Sequence, residues 1–488
     1  MTMLPLNRRS FLKGALGVSA AAAAGSLVTA KIYARTLGAN DRLRVAVCGI
    51  NGRGSGHLGS YLGMKDAEVA YLVDVDSKVL DKRLAEVKKK VQYEIKAVAD
   101  VRKALEDKNL DAISVATPNH WHALMVIWAA QAGKHCYVEK PACHDVFQGR
   151  VAVEAWKKYK VVVQHGTQQR SDSGRAAMIK AIQSGKFGKL AISHGFACKG
   201  RGGIGHKDFC DPPANLDWNL WRGPACLDKF HPNYVHYNWH WFWATGNGEL
   251  NNQGTHQLDV AQWALDPAVT HPVRVMALGG RFMWNDQGET PNTMFGLAEY
   301  PNGQWIFFNV RNYSSYKGYK AQVDNYFYFA DGGKIIGGQY FPKGSDKGEK
   351  VSTEKVEITP GGAFGSFVAA CRAGKPEMAN GDMLVAHHSC LPGHLMNISY
   401  RLGEKVPFNA KAGRFGDNKA AAEEFLKLHE MMKGDAGVPE DKSQYIVGPW
   451  LTFDQKTEKF TGERADEANK LLRDPCREGF QPPEADKV

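Results

Sequence analysis

A glycine-rich turn directly after a short apolar strand is the first feature of the chain that could carry chemistry. The segment 43–54 ends in Cys-Gly-Ile-Asn-Gly-Arg-Gly. Compared with the dinucleotide motif G-x-G-x-x-G, the outer glycines are Gly49 and Gly54, and Asn51 holds the middle place. Asparagine tolerates left-handed backbone better than most residues, and Gly52 adds freedom, so the backbone can approach a pyrophosphate closely. The turn therefore predicts a dinucleotide site.

An acidic residue ends the next apolar strand, at 69–73. Asp74 follows Gly49 by 25 residues, where a carboxylate can accept hydrogen bonds from both hydroxyls of a ribose. Its charge would repel a 2′-phosphate, so the residue favours NAD over NADP. Taken alone, Asp74 could equally be a surface turn residue. Together with the glycine-rich turn it indicates NAD.

The elements that must position these groups alternate between strands and helices. A buried strand at 111–116 leads into Thr117-Pro118-Asn119-His120-Trp121-His122, and a helix runs on to about Ala132. The strand 135–138 then ends in Glu139-Lys140-Pro141. Repeated β-α-β units predict a parallel sheet, in which ligands bind at the carboxyl ends of the strands. Both polar segments follow such ends.

Three motifs now stand together: Gly-x-Asn-Gly-Arg-Gly, Thr-Pro-Asn-His-x-His and Glu-Lys-Pro. In this order and spacing they resemble the Gfo/Idh/MocA oxidoreductases, which include glucose-fructose oxidoreductase and inositol dehydrogenase. The resemblance covers roughly residues 40–410. It implies that Lys140 lies between a nicotinamide and a sugar hydroxyl, where an ammonium stabilises a developing alkoxide. The alternative for Lys140 is a solvated lysine at a strand end. We expect the cofactor to be bound by Gly49, Asn51, Gly52, Arg53, Gly54, Asp74, Thr117, Asn119, His122, Glu139 and Lys140.

The resemblance also points to a helix in the second half of the chain. In the family, an Asp-x-x-x-His pair on a helix faces the substrate, and the i,i+4 spacing places both side chains on one helical face. His256 matches the histidine, and Asn252 occupies the place of the aspartate. Because an amide cannot take a proton, a proton relay must rest on His256 alone or on another group such as His240 or Glu249. The expected catalytic residues are Lys140, His256 and Asn252, the alternative for His256 being a core histidine.

Aromatic and metal-binding residue types cluster in the same region. Aromatic faces pack against pyranose rings, although the core of a domain interface explains a single tryptophan better. The candidates for lining a sugar site are Trp218, Trp221, Trp239, Trp241, Phe242 and Trp243. Neither His231, His236 and His240 nor Cys198, His206, Cys210 and Cys226 form a closed zinc pattern, so no metal is predicted. An isolated disulfide between Cys198 and Cys210 is an open alternative for a protein outside the cytoplasm.

The domain organisation follows from pattern and length. The predicted fold class is α/β plus α+β, with a Rossmann domain at 41–165 and a substrate and oligomerisation domain at 166–410. Hairpin signals at 292–310 and 325–336 predict an open, mostly antiparallel sheet. One sheet face should pack on helices and the other should be free for a homo-oligomer. Residues 411–488 form a helix-rich extension in which no chemistry is visible.

The N-terminus reads as a targeting segment, placed at 1–34. Arg8-Arg9-x-Phe-Leu-Lys precedes an uncharged run from Gly14 to Ala30, which resembles a twin-arginine export signal. The run is too short and weakly apolar for a permanent membrane anchor. Cleavage after Ala30 removes Arg8, Arg9 and Lys13 and lowers the net charge from +11 to +8; Ala34 is an alternative cleavage position. The sequence therefore predicts a periplasmic or otherwise exported protein, and no Lys/Arg run indicates nucleic-acid binding.

These observations favour an exported NAD-dependent oxidoreductase acting on a hydroxyl carbon of a sugar, polyol or glycoside. Outside the cytoplasm no nicotinamide pool is replenished, so the cofactor must be held tightly and recycled on the protein. The main alternative is therefore a redox-neutral glycosidase that works by transient C3 oxidation and elimination, as in some relatives of the family. A second alternative is a non-catalytic sugar-binding protein that keeps the Rossmann half as a scaffold.

Overall fold

A computed structural model describes residues 41–313, 319 and 321–488. The predicted export segment at 1–34 lies outside the described residues. Two sheets organise the rest of the chain, one of six strands and one of twelve. In the described part of the chain, no helix is both long enough and apolar enough to cross a membrane.

The first domain is a parallel six-stranded sheet with the order β3-β2-β1-β4-β5-β6. This order reverses direction between β1 and β4, and ligands of such sheets bind in the crevice that opens at this reversal. The strands are β1 Leu43–Cys48, β2 Ala67–Val73, β3 Lys96–Val98, β4 Ala112–Val115, β5 His135–Val138 and β6 Val163–His165. The helices are α1 Arg53–Leu62, α2 Ser77–Lys88, α3 Val101–Leu105, α4 His122–Gln131 and α5 Val146–Tyr159.

The second domain is built on the twelve-stranded sheet, in which all paired strands are antiparallel except β7 and β10. Both predicted hairpins are confirmed, as β9 with β10 and β11 with β12. The strands are β7 Leu190–Ala197, β8 Arg274–Gly280, β9 Thr293–Glu299, β10 Trp305–Arg311, β11 Val323–Phe329, β12 Lys334–Ile336, β13 Gln339–Phe341, β14 Glu349–Lys350, β15 Glu404–Pro407, β16 Gln444–Val447, β17 Leu451–Asp454 and β18 Lys459–Thr461. The helices are α6 Ser173–Gln183, α7 Trp218–Arg222, α8 Gly248–Asn251, α9 Gly254–Ala264, α10 Gly362–Ala373, α11 Met383–Arg401, α12 Lys419–Gly434 and α13 Ala465–Lys470. The predicted fold class is confirmed.

One face of the large sheet packs on helices α9 and α11, as the pattern predicts. Met294 and Ala298 of β9 lie in the same core as Leu258 of α9 and Leu395 of α11. The sheet therefore supports α8 and α9 from one side. Burial of this apolar layer fixes the position of the helices on the sheet. Asn252 lies in the turn between these two helices, so the prediction that it shares one helical face with His256 is wrong, because the helix is interrupted at residues 252–253.

The prediction that the opposite sheet face is free is wrong for strands β8 to β10. Helix α12 lies on it, and Phe425 and Met432 share a buried core with Phe295 of β9 and Leu278 of β8. Residues after 411 also supply strands β16 and β17, both paired with β8. The sequence missed these strands because they are only four residues long, and a pattern that short becomes a strand only when a partner strand is at hand.

The C-terminal segment is held to α5, α11 and the loop before β8 by one half-buried carboxylate. Glu458, between β17 and β18, accepts hydrogen bonds from His271 Nε2 at 2.9 Å, His387 Nε2 at 2.8 Å and Arg150 Nε at 2.8 Å. Burial alone would raise the pKa of Glu458, but these three partners outweigh it and hold the pKa well below its usual range. The ionised carboxylate therefore stabilises the fold.

We expect Glu458→Gln to lower the free energy of unfolding at pH 7 by about 1–3 kcal/mol, because the hydrogen bonds to this side chain lose their charge, while Arg150 is partly exposed and keeps Glu154 as a partner. Since the folded pKa is depressed, the contribution of Glu458 is complete above the ordinary carboxyl pKa of about 4.3 and is lost as the pH falls below it. Urea unfolding of both proteins across this range measures the effect. The exposed neighbour Glu463→Gln should stay within about 0.5 kcal/mol of the parent, and a pH-independent difference for Glu458→Gln would contradict the prediction.

Candidate functional site

A cavity of about 700 Å³ opens at the carboxyl ends of the first domain's strands and is closed from the other side by the second domain. Twelve of the thirteen residues that the sequence singled out for cofactor binding or catalysis line it. They are Gly49, Asn51, Gly52, Arg53, Asp74, Thr117, Asn119, His122, Glu139, Lys140, Asn252 and His256. Gly54 lies behind this wall, packed against the backbone of the turn.

The glycine-rich turn is shaped by two close backbone approaches. Gly49 has a φ of +76°, and a Cβ there would lie 2.7 Å from the Ala116 carbonyl oxygen at the end of β4. A Cβ on Gly54 would lie 1.8 Å from the Gly49 carbonyl oxygen. Only glycine fits at either position, so the start of α1 is pressed against β1 and β4. This leaves an open cradle of the kind that holds a pyrophosphate at a helix N-terminus.

Asp74 lies at the carboxyl end of β2 and is held by backbone amides. Ile50 N–H donates to its Oδ2 at 2.9 Å, and Asp76 N–H donates to Oδ1 at 3.0 Å. Burial raises the pKa of Asp74, and the two amide hydrogen bonds oppose this shift. The carboxylate thus faces the cavity in a fixed orientation, where its remaining lone pairs fit the hydroxyls of a ribose.

Glu139 links the glycine-rich turn to the segment that carries Lys140. Its Oε1 accepts hydrogen bonds from Arg53 Nε at 2.7 Å and from His57 Nε2 at 3.1 Å. Burial alone would raise the pKa of Glu139, but His57, Arg53 and Lys140 outweigh it and hold the pKa well below its usual range. An ionised Glu139 therefore fixes the first turn of α1 relative to the end of β5.

His122 braces two site segments against each other. Its Nδ1 lies 2.6 Å from the Pro141 carbonyl oxygen and its Nε2 lies 2.8 Å from the Thr117 carbonyl oxygen. With both ring nitrogens turned toward backbone oxygens, the side chain joins the loop after β4 to the loop after β5. Asn119 lies beside it and faces Asn247 of the second domain at 3.5 Å.

Lys140 begins a chain of polar contacts that crosses into the second domain. Its Nζ donates to Asn252 Oδ1 at 3.1 Å, and Asn252 Nδ2 donates to Glu249 Oε2 at 3.2 Å. Arg201 donates to both Glu249 oxygens, at 3.0 and 3.2 Å. Glu249, one turn before Asn252, therefore supplies the negative charge that an aspartate at position 252 would have brought.

The pKa values along this chain are shifted by burial and by neighbouring charge. Burial lowers the pKa of Lys140, and Glu139 and Glu249 partly restore it. Burial raises the pKa of Glu249, and Arg201 and Lys140 oppose that shift. A lysine with a depressed pKa and a nearby carboxylate can hold a hydroxyl and exchange its proton more readily than a lysine in water.

His256 lies on the cavity side of α9. Burial, with Lys140 as the second cause, lowers its pKa to about 3, so the imidazole is neutral at ordinary pH and can accept a hydrogen bond, although it is a weaker base than imidazole in water. His240 also lines the cavity, but its Nδ1 donates to the Tyr237 carbonyl oxygen at 2.6 Å and its ring stacks on Trp239. Of the two, His256 is the one whose ring has no hydrogen-bond partner among the described residues.

Two of the six candidate aromatic residues line the cavity, namely Trp221 and Trp239. Both also belong to one small core that includes Phe242 and on which Trp218 packs, while Trp243 packs on the core of the second domain. The role of Arg201 was not predicted from the sequence, because this residue lies far from α8 along the chain and belongs to no motif. Cys198 is a buried free thiol and Cys210 an exposed one, so the disulfide considered for them is not formed.

We expect Glu249→Gln to lower the pKa of Lys140 further, since the substitution removes a nearby negative charge. Competitive acetylation at a series of pH values, followed by mass spectrometry of the Lys140 peptide, measures this without a substrate. The exposed Glu423→Gln on α12 serves as the control. Equal Lys140 titration in the parent and both variants would show that Glu249 does not act on Lys140.

Comparison with known proteins gives three matches to family models. Residues 43–167 match the NAD-binding Rossmann fold of the Gfo/Idh/MocA oxidoreductase family, and residues 176–284 match a C-terminal alpha/beta domain of that family. Residues 5–25 match the twin-arginine translocation signal sequence. The segment singled out at the N-terminus is thus an export signal, and the first domain binds NAD.

The chain aligns with only part of the length of each relative. The chain is 32% identical over 186 residues to a myo-inositol 2-dehydrogenase of Thermotoga maritima, covering 38% of this chain and 51% of that protein. It is 29% identical over 213 residues to a glycosyl hydrolase family 109 protein of Shewanella pealeana, covering 38% of this chain and 45% of that protein. The chain therefore spans about half the length of these relatives.

Among solved structures, the WlbA dehydrogenase of Chromobacterium violaceum, in complex with NADH and UDP-GlcNAcA, superposes with a TM-score of 0.53. The identity is 16%, over 72% of this chain and 91% of that chain, so the likeness concerns the fold. Family models for both domains match in order along the sequence, and the fold agrees with them. The chain belongs to the Gfo/Idh/MocA oxidoreductase family.

Proposed function

We propose that the protein is an exported NAD-dependent oxidoreductase that acts on a hydroxyl carbon of a sugar, polyol or glycoside. The observation that carries this proposal is the single cavity lined by the glycine-rich turn, Asp74, Lys140, Asn252 and His256. Nucleotide-binding groups and a proton-handling set are thereby brought within reach of one bound substrate. Bound NAD would supply the acceptor for a hydride.

The chain's own residues divide the remaining work in this proposal. Lys140 Nζ holds the substrate hydroxyl and stabilises charge on its oxygen, while Asn252 and Glu249 keep the ammonium in place. The neutral His256 accepts a hydrogen bond from the substrate hydroxyl and, together with Lys140, relays its proton toward solvent. The faces of Trp221 and Trp239 pack against the apolar face of the sugar ring. Arg201 opposes the rise that burial causes in the pKa of Glu249.

We further propose that the protein works in the periplasm, since a twin-arginine signal directs export. There the nicotinamide must stay on the protein and be recycled, either by paired oxidation and reduction of two sugars or within one reaction. The second possibility is the redox-neutral glycosidase, which oxidises a glycoside at C3, eliminates the leaving group, adds water and reduces C3 again. The glycosyl hydrolase family 109 relative favours this candidate.

We also propose that the protein self-associates through its C-terminal sheet. The sheet surface that is free for this contact is smaller than the sequence predicted. Helix α12 occupies the outer face of β8 to β10. The part of this face left for a second copy lies toward β11, where Tyr328 is only half-buried. Light scattering on the purified protein measures the oligomeric state, and a monomer at all concentrations would remove this proposal.

One experiment separates the candidate reactions. The mature protein is purified, its bound nucleotide is released by denaturation and identified, and the native protein is given aryl glycosides and free sugars in deuterated buffer. Stoichiometric keto-sugar formation supports the dehydrogenase. Aglycone release with deuterium at C2 and no net NADH supports the glycosidase. A protein that neither contains nor binds NAD would overturn both and leave a sugar-binding protein.

A further inference from the structure

Two buried thiols and an imidazole meet directly behind the site. Cys143 follows Lys140 by three residues, while Cys390 and His394 lie four residues apart on one face of α11. Their two sulfur atoms and the His394 ring nitrogen all lie within 4.8 Å of one another. All three side chains are buried, with exposures of 0%, 0% and 4%. None of them takes part in the chemistry described above.

The distances in this cluster suit a tetrahedral metal ion. Zinc binds thiolate sulfur at about 2.3 Å and imidazole nitrogen at about 2.0–2.1 Å, so sulfur and nitrogen ligands of one ion are separated by about 3.5 Å. Cys143 Sγ and His394 Nε2 are 3.5 Å apart. The Cys390 thiol is within hydrogen-bonding reach of the Cys143 thiol. The ligands therefore need little movement to share an ion.

A second imidazole lies next to the Cys390 thiol, outside the 4.8 Å cluster of the other three groups. His165, at the carboxyl end of β6, is fully buried beside the Cys390 thiol. Its Nε2 is buried and has no hydrogen-bond partner among the described residues. An unpartnered imidazole nitrogen in the protein interior costs free energy, and a metal ion would satisfy it.

The surroundings of His394 also fit a metal ligand. Its Nδ1 faces the Asn251 side-chain amide at 2.9 Å, and Asn251 Oδ1 is buried without a partner. A half-turn of this amide brings Oδ1 to Nδ1, where it accepts the ring proton and leaves the Nε2 lone pair for a metal. Metal-bound histidines commonly have such an acceptor on their second nitrogen.

We propose that Cys143, Cys390 and His394 form a structural zinc site, and that His165, which lies outside their 4.8 Å cluster, turns toward the ion as fourth ligand. Two thiolates balance the charge of one Zn²⁺, so the closed cluster is neutral and can be buried, and the soft sulfur ligands select zinc over magnesium or calcium. On binding, the two thiol protons are released to solvent. The site uses none of the histidines and cysteines that the sequence singled out around residues 198–240.

The zinc would brace the active-site floor. It joins α11 to the loop that carries Lys140, and through His394 and Asn251 it reaches α8, directly before Asn252. Both partners of the Lys140–Asn252 contact would therefore be positioned by the same ion. Because a twin-arginine signal exports folded protein, the ion can be acquired in the cytoplasm, before export.

The test is metal analysis of protein produced without a histidine tag and without chelators. Mass spectrometry of the elements should find about one zinc per chain in the parent, and at least about tenfold less in Cys390→Ala. The matched control is Cys371→Ala on α10, which removes an equally buried thiol outside the cluster and should keep its zinc. Equal zinc in all three proteins would overturn the proposal.

Cobalt substitution covers the case in which Cys390→Ala fails to fold. The parent, exchanged with Co²⁺, should show the strong visible bands of tetrahedral cobalt and a thiolate-to-cobalt band in the near ultraviolet, which Cys143→Ser weakens. A parent that takes up neither zinc nor cobalt overturns the site. So does a Cys143–Cys390 disulfide found in unreduced peptides, because the thiols would then be committed to a covalent bond.

Discussion

Lys140→Met should lower kcat by about 10²–10³-fold, the cost of removing one donor aimed at a developing oxyanion. Methionine keeps much of the length of the side chain but has no charge. The Asn252 side chain loses the hydrogen bond that Lys140 Nζ donates to its Oδ1 at 3.1 Å. The glycine-rich turn and Asp74 are unchanged. We therefore expect nucleotide affinity to change little. Turnover is measured with whichever sugar or glycoside the deuterated-buffer experiment identifies.

The control for this substitution is Lys180→Met, an exposed lysine on α6 that should leave kcat unchanged. Nucleotide titration of both variants separates loss of chemistry from loss of cofactor. If Lys140→Met turns over as fast as the parent while still binding nucleotide, the lysine is a strand-end cation and the proposed role is wrong.

Gly54→Ala should weaken NAD binding by more than about 100-fold. The new Cβ would have to lie 1.8 Å from the Gly49 carbonyl oxygen, so α1 must move away from the turn and the cradle for the pyrophosphate opens. A ligand that binds the folded state raises its stability in proportion to log([L]/Kd) at high ligand concentration. Added NAD should therefore raise the Tm of the parent and leave that of the variant nearly unchanged.

The same helix offers a matched control, since a Cβ on Gly59 has no neighbour within 4 Å. Gly59→Ala should bind NAD normally and gain up to about 1 kcal/mol in stability, because alanine is the better helix former. If Gly54→Ala responds to NAD as Gly59→Ala does, the close packing of the turn is not required for binding.

The sequence predicted the first domain well because its signals are local. A strand, a glycine-rich turn and a helix follow one another within about 20 residues of a β-α unit, and each has its own pattern. The glycines at 49 and 54 are required by backbone contacts inside that unit. Asp74 and Lys140 could be located for the same reason, since each directly follows a recognisable strand.

The rest of the site depends on contacts between distant segments. Nothing in the sequence near Glu249 shows that Arg201 will neutralise it, because the two meet only when the loop after β7 packs on α8. The cluster of Cys143 and Cys390 brings together residues 247 positions apart. Its one local signal is the four-residue spacing of Cys390 and His394. This spacing predicts that both side chains lie on one helical face, but it does not indicate that Cys143 joins them.

The pairing of β16 and β17 with β8 has a consequence for how the chain matures. Strand β8 is complete after residue 280, but the strands that cover its edge are synthesised only after residue 440. Until then β8 presents unpaired backbone groups to any other chain, which is a common route to aggregation. Premature stop codons within residues 411–440 should therefore yield insoluble protein rather than a shortened enzyme.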